Sequence, residues 1–175
     1  MDKLKLSPVK VPWAVELAVS GIRLIVNELQ GYERTTISFS AMLIPKIYQK
    51  PIYSEAKIVE ITFEGVAFTA TYGIDFKYSQ YDWTLVYPKK MLATLDENHR
   101  VLNVPEWEKI NDLWKRECIG KGFSGDSYVY TIQDSPKIAE LGLTKQPEYE
   151  HFLIVGHDMY AEIVGRGWQW RFQQE

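Results

Sequence analysis

The stretch KIVEITFEGVAFTATYGIDFKYSQYDWTLVY, residues 57–87, decides how the chain is read. In its first part Val59, Ile61 and Phe63 alternate with Glu60, Thr62 and Glu64. A period of two puts one apolar row and one wet row on opposite sides of an extended chain. Glu64-Gly65 can turn the chain, or Gly65 can be a bulge at which one long strand bends. Val66, Phe68, Ala70 and Tyr72 then alternate with Ala67, Thr69 and Thr71 until Gly73 breaks the run. A third strand is expected near residues 83–87, with Trp83, Leu85 and Tyr87 on one side. The β-branched and aromatic content fits a sheet. A sheet with one apolar face must pack that face against something, so the remaining segments are read as its cover.

The clearest helical pattern outside this stretch is 12–30. Pro12 suits a first turn and Gly31 a position just past the end. Val15, Val19, Ile22, Val26 and Leu29 fall on one side at a 3.6-residue spacing. The run is rich in β-branched residues, which lowers its helix propensity, and a competing reading makes residues 22–26 a strand. A second helix is expected over 105–119, opened by Pro105 and closed by Gly120. Its apolar stripe is Trp107, Ile110, Leu113, Trp114 and Cys118. The expected fold is therefore α+β: a curved, mainly antiparallel sheet covered by an N-terminal helix and by a second helix near residues 105–119.

Strands are also expected over 35–44, over 127–132, and in three closing runs, HFLIV, MYAEIV and WQWRF, within 151–172. Residues 1–10 read as a polar arm or short edge strand, and 91–95 as a short strand. Ser135 can cap a short helix opened by Pro136 and ended by Gly142.

A chain of 175 residues with 46% apolar composition can fill one core, so residues 1–175 are read as a single domain. The net charge of -3 offers no basic patch for nucleic acid. Nothing in residues 1–10 resembles a signal peptide, and no segment is apolar enough to suggest a membrane span. The single cysteine, Cys118, fits a reducing compartment and reads as a buried core thiol. A cytoplasmic location is expected, with no nucleic acid or membrane partner; oligomeric state is left open.

The motifs of chemistry are sparse. Of three histidines, none has HExxH spacing, and paired cysteines are absent, so neither a metal nor a cofactor is expected. The KGFSGD loop is not a phosphate loop, and Ser124 within it misses G-x-S-x-G. His151, His157, Asp158 and Glu162 form the most enzyme-like grouping. In a hairpin turned at 156–158, His151 and Glu162 could approach across the ladder, either for acid–base work or as an ordinary cross-strand pair. Glu60 and Glu64 share a face but stand about 13 Å apart along an extended strand, too far for a glycosidase pair.

Tyrosines beside acids are the remaining signal. Tyr78, Tyr81, Asp82, Glu148, Tyr149 and Glu150 are the expected binding residues, with aromatic anchors and acids that steer a basic partner. The first expectation is a non-catalytic protein-binding domain, an inhibitor or immunity-type protein that neutralises a basic partner. The alternatives are a small-ligand-binding or hydrolytic α+β domain with a pocket between sheet and helices, and a structural or assembly subunit.

Overall fold

The structure is a computed structural model that describes residues 3–15, 23–29, 32–43, 57–73, 80–96, 100–125, 128–156 and 159–173. It is an α+β fold dominated by two sheets. The strands are β1 (Leu4–Pro8), β2 (Trp13–Val15), β3 (Arg23–Leu29), β4 (Tyr32–Leu43), β5 (Lys57–Glu64), β6 (Phe68–Tyr72), β7 (Tyr81–Asp82), β8 (Val129–Ile132), β9 (Glu150–Val155), β10 (Tyr160–Gly165) and β11 (Gly167–Phe172). The helices are α1 (Lys89–Leu92), α2 (Val104–Gly120) and α3 (Pro136–Glu140). The six-stranded sheet runs β6-β10-β9-β8-β1-β7; the five-stranded sheet runs β11-β5-β4-β2, with β3 also on β4. Every pairing between these strands is antiparallel except β1 with β7.

Gly65 joins the sheets. Its φ of +55° is a left-handed conformation that side chains with a Cβ adopt at a cost. It bends one long strand, so that β5 lies in the five-stranded sheet and β6 in the other. The partner strand bends at the same level: β10 pairs with β6, and β11 pairs with β5. Arg166 N–H donates to Glu64 O at 3.0 Å and Ala67 N–H to Val164 O at 2.8 Å, which carries the ladder round the corner. Of the two readings of Glu64-Gly65, the bend in a long strand is the one found.

The alternating rows then pack as their period requires. Ile37, Phe39, Val59, Ile61 and Phe63 of the five-stranded sheet meet Phe152, Ile154, Ala161 and Ile163 of the six-stranded one. Trp168, Trp170 and Phe172 pack against this core. On the wet side of β5, Glu60 pairs with Arg171 and Glu64 with Arg34, which fits the solvated-face reading of those acids. The six-stranded sheet is buried on its other side too. Leu153, Val155, Tyr130 and Ile132 cluster there with Tyr81, Trp83 and Val86. A strand apolar on both sides explains why β9 reads as a continuous hydrophobic run.

Several expectations need correction. The proposed N-terminal helix is absent from the described part of 12–30: residues 13–15 and 23–29 are β2 and β3, both paired with β4. The rest of that segment, including Val19 and Ile22, lies outside the described residues. The physical reason is that the β-branched composition made helix propensity weak, while the long edge of β4 supplies backbone partners along β3 and β2. Leu29 pairs with Tyr32, so the Gly31 stop signal separates two strands.

Residues 83–87 are a turn, not a strand: Val86 and Tyr87 N–H both donate to Trp83 O. Trp83 and Tyr87 stack at 5.6 Å, while Leu85 is exposed. The short strand expected at 91–95 is replaced by α1. The arm at 1–10 contains β1, which lies inside the six-stranded sheet.

Helix α2 forms as expected, with Asn103 accepting from Glu106 N–H at its start. Among the described residues, neither core cluster includes a residue of α2, so its placement as sheet cover is not confirmed. The second cluster is covered by Tyr81–Leu92 residues and, among the described residues, includes none from α2. Trp114 instead meets Tyr87 edge-on at 5.2 Å. Leu113, assigned to the apolar stripe, is 60% exposed, whereas Cys118 is buried as expected. Among the described residues no helix is long and apolar enough to cross a membrane, which says nothing of β-barrels.

Candidate functional site

The residues Asp134-Ser135-Pro136 set the first wall of the site. Asp134 takes a left-handed φ of 50°, which turns the chain out of β8. Asp tolerates this conformation better than most residues. Ser135 is the cap of α3, its Oγ accepting from Lys137 N–H at 3.2 Å and Ile138 N–H at 3.4 Å. The same hydroxyl lies 2.7 Å from His151 Nδ1 on β9. With both N–H groups donating to Oγ, the remaining role of the hydroxyl is to donate its own proton to Nδ1. The imidazole proton then sits on Nε2.

The β9–β10 register places Glu162 opposite Leu153 and His151 opposite Val164, so His151 and Glu162 are diagonal neighbours on one face. His151 Nε2 is 3.7 Å from Glu162 Oε2, beyond hydrogen-bond reach, and Nε2 is buried without a hydrogen-bond partner among the described residues. Tyr81 donates its hydroxyl to Glu162 Oε1 at 3.3 Å. The relay Ser135–His151–Glu162–Tyr81 is hydrogen-bonded at its two ends only, with a gap of 3.7 Å between His151 and Glu162. Tyr72 and Tyr160 stack on each other at 4.7 Å nearby.

Charge settles on Glu162. Burial alone would raise its pKa, but the His151 imidazole, the Tyr81 hydroxyl and the Lys137 ammonium outweigh burial and hold it below the ordinary range. Burial, and then the Glu162 charge, push the Tyr81 phenol upward. The same two causes raise Tyr72, partly offset by Lys137. The carboxylate is therefore ionised and both phenols are neutral at neutral pH.

The linkage sign follows. A carboxyl held low in the folded state contributes stability above its unfolded pKa, and that stability is lost as pH falls through the folded value. Unfolding midpoints measured in urea should therefore drop from about pH 4.3 downward. Glu162→Gln should lower the midpoint at pH 7 and flatten this acid limb; an unchanged limb would remove Glu162 as its source.

Beside the relay is an open cleft of about 480 Å³ between α3, β8 and β9. Ser135 and His151 both line it, buried to 8% and 4% exposure. Asp134 and Glu150 add two carboxylates, Tyr149 an aromatic wall, and Thr131, Gln133 and Thr144 neutral polar groups. No lysine or arginine is among its described lining residues.

Of the expected binding residues, Tyr149 and Glu150 line this cleft, and Glu148 is exposed just before it. Tyr149 also carries the Arg166 guanidinium over its ring at 5.8 Å. Tyr81 is not a surface anchor: it is 3% exposed, because its pairing with Leu4 across β1 and β7 draws it into the second core. Asp82 accepts from Thr84 N–H at 2.9 Å, a local turn bond that holds its carboxyl low. Tyr78, His157 and Asp158 lie outside the described residues.

The approach of His151 to Glu162 follows from the hairpin period. Ser135 was legible only as a helix cap, since its contact with His151 depends on how α3 docks. Among the described residues, no group of three or more His, Cys, Asp or Glu is placed to hold a metal ion. Compared with protein-family models, curated proteins and solved structures, the chain matches none.

Proposed function

We propose that this chain is a small-ligand-binding domain whose α3 cleft receives a cationic or neutral polar group. The observation that carries the reading is the cleft lining: Asp134, Glu150 and Tyr149 with neutral polar side chains, and no lysine or arginine among its described members. Asp134 and Glu150 are exposed carboxylates, and their charge favours an ammonium or guanidinium over an anion. A concave site with a few convergent polar groups is the ordinary form of a ligand site.

Arginine amide is a suitable probe. Added to isotopically labelled protein, it should move the backbone amides of Gln133–Ser135, Lys137–Ala139, Thr144 and Tyr149–His151, whereas acetate should not. Asp134→Asn with Glu150→Gln should remove the effect. Shifts that are absent, or scattered over both sheets, would overturn the reading.

A protein-binding domain for a basic partner is the second reading, and a separate observation favours it. Val101, Leu102 and Val104, at the start of α2, are 37%, 68% and 55% exposed. Exposed apolar residues close in sequence are a common element of a protein interface.

A further inference from the structure

We infer that Ser135 is a nucleophile for acyl transfer, activated by His151, with Glu162 as the positioning residue behind it. The inference rests on the cleft being the ligand site. The juxtaposition is Ser135 Oγ 2.7 Å from His151 Nδ1, with Glu162 Oε2 3.7 Å from the opposite ring nitrogen. A serine, a base within hydrogen-bond reach and a carboxylate that orients the base are recognised by geometry and role, whatever their order in the chain. Here the imidazole presents Nδ1 to the hydroxyl, while Glu162 stands 3.7 Å from Nε2, beyond hydrogen-bond reach, and acts on the ring through its charge.

Both groups that would react line the cleft. The two backbone contacts to Oγ, 3.2 and 3.4 Å, are long for N–H···O bonds and hold the oxygen weakly. Glu162 is held ionised, so it stabilises the imidazolium that forms when the proton moves. Burial of His151 keeps solvent from competing for that proton.

The step balances without a cofactor. Oγ bonds to the acyl carbon of an ester as the serine proton passes to Nδ1. The bond from that carbon to the leaving oxygen breaks, and the leaving alcohol takes the proton from Nδ1. Water then adds to the acyl-serine by the same route, releasing the acid and restoring the hydroxyl. Asp134 and Glu150 in the lining set the substrate class: esters with a neutral or cationic acyl or alcohol part, not those bearing a carboxylate.

An alkyl fluorophosphonate tests the assignment, because it traps a nucleophilic serine covalently with loss of fluoride. Incubation with the intact protein, followed by peptide mass spectrometry, should place one phosphonyl group on Ser135. Arginine amide should slow its formation. Ser135→Asn keeps a side-chain acceptor for the helix cap and should abolish the adduct while melting near the parent temperature. His151→Asn should slow labelling by about a hundredfold or more. An unchanged protein mass after prolonged incubation, or an adduct elsewhere, would overturn the inference. If arginine amide still moves the cleft amides in that case, the ligand site stands and only the nucleophile falls. Should Ser135→Asn not fold, the position of the adduct on the parent chain decides the matter alone.

Discussion

Ile61→Asp should leave the protein unfolded at room temperature in the absence of denaturant. Ile61 has no exposed surface and lies between Ile37 of β4 and Trp170 of β11 in the five-stranded sheet. An aspartate there would place a charge among apolar side chains of the central core. An uncompensated buried charge, added to the lost apolar burial, costs several kcal/mol against a total stability of about 5–15 kcal/mol. Ile61→Val is the matched control and should cost about 0.5–1.5 kcal/mol. Far-ultraviolet circular dichroism and urea titration of the two variants make the comparison. A folded Ile61→Asp variant with a midpoint near the parent would refute the placement of that face between the sheets.

Gly65→Val should be the second most damaging change, although it removes no contact. A β-branched residue at φ +55° is strained by about 1–3 kcal/mol whatever surrounds it. A Cβ at this position would also clash with the Arg166 guanidinium. Arg166 is flexible and exposed, so it can move away, whereas the backbone angle cannot relax without unbending the strand. The two costs can be separated. Adding Arg166→Ala to Gly65→Val should recover only the steric part, leaving most of the loss. Gly65→Asn should be milder than valine, because Asn visits the left-handed region more readily. Full rescue by Arg166→Ala in urea titrations would show that the steric clash, not the bend, sets the cost.

The strength of the period-two signal explains which parts of the fold were legible. Val59, Ile61 and Phe63, the three closing runs, and the starts of α2 and α3 announced themselves locally, through alternation or a continuous apolar run, through Pro105 and Pro136, and through Ser135 as a cap. Residues 23–29 did not, because Val26 and Leu29 in that strand can also satisfy a helical spacing by chance. Only the pairing with β4 distinguishes the two; β4 begins at Tyr32, and the Gly31 that reads as a helix stop lies between the paired strands. Trp83–Tyr87 misled for the opposite reason: its apolar residues alternate but serve a turn that plugs a core.

The site divides in the same way. His151 and Glu162 share a hairpin, so their approach followed from local geometry. Tyr81 and Ser135 reach them through the parallel β1–β7 pair and the docking of α3, neither of which has a local signature.

The corner at Gly65 also fixes when the protein can be completed during synthesis. β5 and β6 pair only with strands made later, except for the β4–β5 contact. On the order of a hundred residues must leave the ribosome between β5 and β11, and closing such a loop is slow. Throughout that interval one edge of β5 carries unpaired backbone groups beside Val59, Ile61 and Phe63, a template for joining a neighbouring nascent chain. The hazard in this molecule is therefore one of timing, and slowing translation across residues 73–150 should increase aggregation even though the finished sequence is unchanged.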